Sequence, residues 1–409
     1  MAALLPFHAL RPRPADAAKV AAVPYDVVTT EEARALANGN PLSFLRVSRA
    51  ELELPEGTDP HADVVYERAV QNFEKLKQTV LVVEDEPSVY LYRLRDGDHE
   101  QTGIAGCYSL DEYDRGIIKK HERTRRDKED DRTRHMLALG AQTGPVFMVF
   151  RSQPAVDEVV AQTANADPLF DVDAVDGVRH TLWRVGGRNC DTLVSAFSEV
   201  QSLYIADGHH RAASAARARQ EIHDRAMARP PLGTADCTTM LGVAFPHDQA
   251  RILPYNRTVK DLGPLTPAAF MASVAERFHV ASGPASPARR GEIAMYAGHA
   301  WHTLRPRAAP DRSDPIRSLD VRILQDQLLE PILRIGDIRT DPRIDFVGGA
   351  RGTRELERLV DSGNAAVAFS LFPVDVADLM TVSDAGEIMP PKSTWFEPKL
   401  RDGLLIHMI

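Results

Sequence analysis

Five consecutive residues, Asp207-Gly208-His209-His210-Arg211, place a carboxylate, a glycine hinge, two imidazoles and a guanidinium side by side. They lie between a short apolar run, 203–205, and an Ala- and Arg-rich stretch, 211–222, that has the composition of a helix. Gly208 lets the backbone approach a ligand closely or adopt a positive φ. The amino end of a following helix offers free N–H groups and a partial positive charge, which suits phosphate. Arg211 can grip phosphate oxygens bidentately. His209 and His210 can donate hydrogen bonds or relay a proton near neutral pH. Asp207 can place a magnesium ion or orient a hydroxyl. We read these residues as a phosphate-handling turn at the centre of an enzyme active site. Two other readings use the same residues. One is an ordinary Asp-Gly turn with surface histidines; the other is a metal site built from Asp207, His209 and His210, for which no HxH or HExxH supplies further ligands.

A second group is Lys119-Lys120-His121-Glu122-Arg123-Thr124, continuing to Asp131-Arg132. Glu122 has the chemistry of a general base, since a carboxylate in reach of a hydroxyl can take its proton. Periodicity alone reads the same run as a solvated helix face. Asp127, Glu129, Asp130 and Asp131 interleave with the basic residues and dilute any field that nucleic acid would feel. A third group is Met389-Pro390-Pro391-Lys392-Ser393-Thr394-Trp395-Phe396-Glu397-Pro398-Lys399. Lys392 and Lys399 could reach phosphates while Trp395 packs or stacks, or the segment is simply a rigid terminal turn. Pro24-Tyr25-Asp26, Asn40-Pro41 and Tyr255-Asn256-Arg257 put polar groups at strand ends, where sites of α/β folds collect; each alone reads as structural. The chain has neither a GxxxxGK[ST] loop nor a GxGxxG after a strand.

These groups must be held by a sizeable scaffold. A chain of 409 residues suggests two or three domains, and 44% hydrophobic with 26% charged residues is a globular composition. A net charge of −9 argues against a protein devoted to neutralising a phosphate backbone. Cys107, Cys190 and Cys237 are widely spaced, which fits a reducing cytoplasm better than a disulfide framework. The amino terminus makes a poor signal peptide, and the apolar runs fall short of the ~18 residues a membrane helix needs. Helices are expected at 29–39, 63–78, 119–139, 155–165, 194–200, 211–222, 319–335 and 354–362. Strands are expected at 43–47, 79–84, 89–94, 103–108, 145–151, 181–185, 203–205, 238–245, 251–254, 344–347 and 365–371, with a hairpin over 292–305. The stretches 282–291 and 305–315 read as linkers. Alternating strands and helices make the class mixed α and β.

Taken together the segments resemble the domain of unknown function 1015 family. The resemblance runs from Val23-Pro24-Tyr25-Asp26-Val27-Val28 and Asn40-Pro41-Leu42-Ser43-Phe44-Leu45 through His121-Glu122-Arg123-Thr124 with Asp131-Arg132. It continues with Ala206-Asp207-Gly208-His209-His210-Arg211 and Leu253-Pro254-Tyr255-Asn256-Arg257, and closes on MPPKSTWFEPKL. The Asp207–Arg211 block is similar to that of free L-serine kinases, which share a ParB/sulfiredoxin-like fold. The resemblance implies an α+β chain: a ParB/sulfiredoxin-like catalytic region over 1–260, a helix, linkers and hairpin over 261–315, and a C-terminal α+β domain over 316–409 completing the site. It implies transfer of a phosphoryl group from ATP or ADP to the hydroxyl of free L-serine, with Mg2+. Glu122, Asp207, His209 and His210 would be catalytic, with Asp207 placing the magnesium. Gly208, Arg211, His121, Thr124, Arg132, Arg257, Lys392, Ser393, Thr394 and Lys399 would bind nucleotide or phosphate. Two alternatives remain open: a ParB-like nucleotide-dependent DNA-binding switch and a metal-dependent phosphohydrolase.

Overall fold

The structure is a computed structural model that describes residues 1–226, 236–308 and 314–409. Its class is mixed α and β, and it separates into two units. The first comprises residues 1–250 and 398–409, the second residues 251–397.

The large sheet of the first unit runs in the order Ile118–Lys119, Leu203–Asp207, Val146–Phe150, Thr239–Pro246, His99–Ser109, Val89–Asp96, Arg179–Val185 and Phe170–Asp173. Leu4–Leu5 also pairs with His99–Ser109. Two pairings are parallel, Ile118–Lys119 with Leu203–Asp207 and Val146–Phe150 with Thr239–Pro246. All five residues of Val146–Phe150 are buried, as expected of a central strand covered on both faces. The helix His209–Ala226 lays Ala212, Ala215 and Ala218 into the same core as Met148, Phe150 and Ile205. Their three-residue spacing makes one helix face, and methyl side chains let its backbone sit close to the sheet. A second core joins Phe44, Leu45, Val65, Phe73 and Leu76 to Leu139 and Ile406. In the second unit an antiparallel sheet runs Phe278–Ser282, Ala300–Pro306, Ile293–Ala297, Val367–Leu371, Tyr255–Val259 and Ile344–Gly348. Phe270, Val274 and Leu328 pack with its Phe278, Ile293 and Phe369.

Local chemistry sets several elements where the sequence places them. Thr29 caps Thr30–Ala37: its hydroxyl accepts from Glu32 N at 3.2 Å while Glu32 accepts from Thr29 N at 2.8 Å, a reciprocal capping box. The helix Asp63–Thr79 and the hairpin Ile293–Ala297 with Ala300–Pro306 match expectation. Other elements differ. The expected strand 43–47 contains a single helical turn, Leu45–Ser48, because Phe44, Leu45, Val47 and Ser48 are all buried, a spacing that only a helix puts on one face. The expected helix over 119–139 begins only at Arg126; Ile118–Lys119 is a strand and residues 120–125 are loop. The helix placed at 194–200 is Gly187–Phe197, and 319–335 holds Asp320–Leu324 followed by a π-helical turn, Gln325–Leu329. Phe170–Asp173 and Val376–Asp384 were not expected. The expected divisions at 260 and 315 differ from that between the units. Tyr255–Val259 pairs with Ile344–Gly348 and Val367–Leu371, which ties residues before 260 to the second unit. Residues 309–313 of the expected linker 305–315 lie outside the described residues. Among the described residues no helix is long and apolar enough to cross a membrane.

Candidate functional site

Parallel pairing creates the site. Leu203 stands opposite Ile118 and Tyr204 opposite Lys119, so both strands leave the sheet at the same end. The loop after Lys119 therefore emerges beside the carboxyl end of Leu203–Asp207, where open α/β sheets gather ligand groups. Gly208 turns the chain at φ 90°, and its carbonyl accepts the amide of Ala212 at 3.0 Å, which opens the helix. The amides of His209, His210 and Arg211 precede that first helical bond and face the same end.

The loop then docks on the turn. The His121 amide points at His209 Nε2 at 3.5 Å, and the Arg125 amide donates to His210 Nε2 at 3.0 Å. The His121 and His209 rings meet edge to face with centroids 4.4 Å apart. Glu122 Oε2 lies 3.9 Å from His209 Nδ1, and its side chain is 49% exposed. Burial holds His121 down to about 4, against a weaker upward pull from Asp207. Burial, helped by His121, holds His209 well below its ordinary value, and burial also lowers His210. All three imidazoles are thus neutral at pH 7, able to accept a proton or donate a single hydrogen bond.

Asp207 keeps its charge. Burial works against the carboxylate, but Lys399 and Arg211 outweigh it and hold it down to about 2. Lys399 Nζ stands 3.5 Å from Asp207 Oδ2. Arg211 is 6% exposed; it donates to Asp26 Oδ1 at 3.2 Å and to the Pro145 carbonyl at 3.1 Å. The Tyr25 ring lies 5.8 Å from the Arg211 guanidinium and 4.1 Å from that of Arg132. Asp402 completes this cluster; it is 3% exposed and acts electrostatically on Arg211. Burial pushes Asp402 up to about 7 despite Arg211.

The expected residues thus fall into groups. His121, Glu122, Asp207, Gly208, His209, Arg211 and Lys399 come together in the first unit. His210 turns to the loop backbone, the Thr124 hydroxyl donates to Glu129, and Arg132 pairs with Asp131 at 2.6 Å beneath Tyr25. Arg257, Lys392, Ser393 and Thr394 belong to the second unit. There Arg257 is 1% exposed and gives its guanidinium to the carbonyls of Tyr255 and Lys392. The Lys392 ammonium lies 5.4 Å from the Tyr255 ring, and Ser393 donates to the Pro390 carbonyl. In the sequence Tyr25 and Asp26 read as structural, and nothing singles out Asp402. Their shared partner Arg211 is the signal that would have found them.

Gly208→Ala is expected to destabilise the first unit by about 1–2 kcal/mol, the cost of a left-handed conformation for a residue with a Cβ. An added Cβ would sit 3.5 Å from Arg211 Nη1 and Val146 Cα, so strain rather than collision sets the loss. Urea unfolding of the variant measures it; an unchanged midpoint would show that the turn tolerates side chains.

The profile of the family described as "Protein of unknown function (DUF1015)" matches residues 4–322. No curated protein sequence matches the chain. Among solved structures, a conserved hypothetical protein from Pyrococcus furiosus is similar at 12% identity and a TM-score of 0.36, over 74% of this chain and 95% of its own. A free serine kinase in complex with AMP is similar at 13% identity and a TM-score of 0.36, over 73% of this chain and 91% of its own. SbnI with C-terminal truncation from Staphylococcus aureus is similar at 10% identity and a TM-score of 0.38, over 74% and 87%.

Proposed function

The chain belongs to the DUF1015 family, and we propose that it transfers a phosphoryl group from ATP or ADP to the hydroxyl of free L-serine, giving O-phosphoserine. One observation carries phosphoryl transfer: a solvent-accessible carboxylate, Glu122, sits beside His209 at the amino end of the helix His209–Ala226, next to Asp207 and Lys399. Serine as the acceptor comes from the resemblance of the Asp207–Arg211 block to that of free serine kinases.

Such a transfer asks the protein for alignment and charge compensation more than for covalent chemistry. Glu122 takes the proton from the serine hydroxyl as its oxygen bonds to phosphorus and the bridging P–O bond breaks toward the departing nucleotide. Neutral His209 orients Glu122 without competing for that proton. The helix amides and the Lys399 ammonium meet the phosphate oxygens. Arg211, anchored by Asp26, fixes the turn from behind. Asp207 fits magnesium, because it is an ionised oxygen donor and this ion takes one or two carboxylates along with phosphate oxygens and water. When bound, magnesium neutralises charge on the transferred group.

The test is incubation of the purified full chain with ATP or ADP, magnesium and L-serine, followed by detection of O-phosphoserine by mass spectrometry. Product in stoichiometric excess over enzyme supports the proposal. Absence of product with both donors overturns it.

A further inference from the structure

His121, Glu122 and His209 each bring one ligand atom to within 4.8 Å of the others. Phosphoryl transfer as proposed uses Glu122 and one imidazole; it leaves the second buried imidazole without a task. Two nitrogen donors and one carboxylate oxygen are a poor set for magnesium or calcium, which take oxygen, and a good one for zinc and its neighbours. We propose that His121, Glu122 and His209 form a three-ligand site for a borderline divalent transition-metal ion, with Zn2+ as the reference species. The site is separate in its ligands from the magnesium that accompanies a nucleotide, and it stands whether or not serine is the acceptor; because it takes Glu122 as a ligand, a bound ion withdraws the base of the proposed phosphoryl transfer and inhibits that reaction.

Geometry supports each part. Ligands around a tetrahedral ion at ~2.0–2.1 Å are roughly 3.3 Å apart, so the three atoms must close by an ångström or so. Glu122 supplies that movement, being half-exposed and on the loop 120–125. The His121 ring is hydrogen-bonded to the main chain of Ile205, the kind of support that fixes the tautomer of a metal-bound histidine. The exposed face of Glu122 leaves room for water or substrate in a fourth position, as in open zinc sites. His210 is not part of the set: it turns its Nε2 to the Arg125 amide at 3.0 Å, whereas His209 turns its Nδ1 to Glu122 at 3.9 Å. Asp207 is turned to Lys399 at 3.5 Å.

The experiment is a titration of metal-free full-length protein with Zn2+ against a chromophoric chelator, paired with visible absorption spectra of the Co2+-loaded protein. One equivalent should bind at micromolar concentration or tighter, and cobalt should give the intense d–d bands of four- or five-coordination. Glu122→Gln, at an exposed position that leaves folding intact, should weaken Zn2+ binding at least tenfold, and His121→Ala should do the same. His210→Ala should stay within about threefold. Binding weaker than about 100 µM, an octahedral cobalt spectrum, or affinity insensitive to Glu122→Gln would each overturn the site.

Discussion

Glu122→Gln is expected to lower kcat for serine phosphorylation by about 10²- to 10⁴-fold while leaving KM for the nucleotide within about threefold. The substitution keeps the shape and the hydrogen-bonding reach of the side chain and removes its ability to hold a proton. The Glu122 side chain is 49% exposed, on a loop whose docking is carried by the backbone amides of His121 and Arg125. Loss of fold is therefore not a competing explanation, and the melting temperature should barely move. A split between kcat and KM is the informative readout, since a group that merely bound substrate would raise KM instead. Glu122→Asp should recover part of the rate, because the base survives but stands back by one methylene. Assays run with a zinc chelator keep this result apart from occupancy of the His121–Glu122–His209 site. An unchanged kcat would remove Glu122 from the chemistry.

How this carboxylate reaches the turn shows what sequence can and cannot convey. The strand–turn–helix geometry around Gly208 was legible because every part of it is local: a strand, a glycine at φ 90° and a helix whose alanines recur at helical spacing. The start of the helix Thr30–Ala37 was legible for the same reason. The approach of His121 to His209 spans 88 residues and depends on a two-residue parallel pairing of Ile118–Lys119 with Leu203–Tyr204. No periodicity encodes such a pairing. Charge misled the reading of the preceding segment: the charged run is a helix from Arg126, but the loop 120–125 carries the same charged composition. The Pro- and Gly-rich stretch 282–291, read as a linker, lies inside the second unit. The convergence of Asp26 and Asp402 on Arg211 lay beyond reach for a further reason. It joins residues near the two ends of the chain through the backbone bridge between Ala22 and Asp402.

That bridge gives the largest expected effect on stability. Asp402 is seated by its own main chain: its amide donates to Ala22 at 2.9 Å and its carbonyl accepts from Ala22 at 3.2 Å. Its Oδ1 has no hydrogen-bond partner among the described residues, and a Cβ on Gly144 would lie only 2.5 Å from that oxygen. Burial in this tight place, reinforced by Asp26 and opposed by Arg211 and Arg132, raises the carboxyl from 3.8 to about 7. The sign follows from proton counting. Between about pH 4 and 7 the unfolded chain has lost this proton while the folded chain keeps it, so stability falls as pH rises through that window and levels off above it. At about 1.4 kcal/mol per pH unit, the part of the window above pH 5 amounts to about 2–3 kcal/mol. Asp402→Asn cannot titrate and escapes that loss. Its stability relative to the wild type should therefore improve by about 2–3 kcal/mol between pH 5 and pH 8, as measured by urea unfolding at the two pH values. The comparison isolates Asp402, because every other titrating group is common to both proteins. Parallel pH dependences would mean that Asp402 is ionised throughout, with Arg211 neutralised by the buried Asp402 as well as by the exposed Asp26.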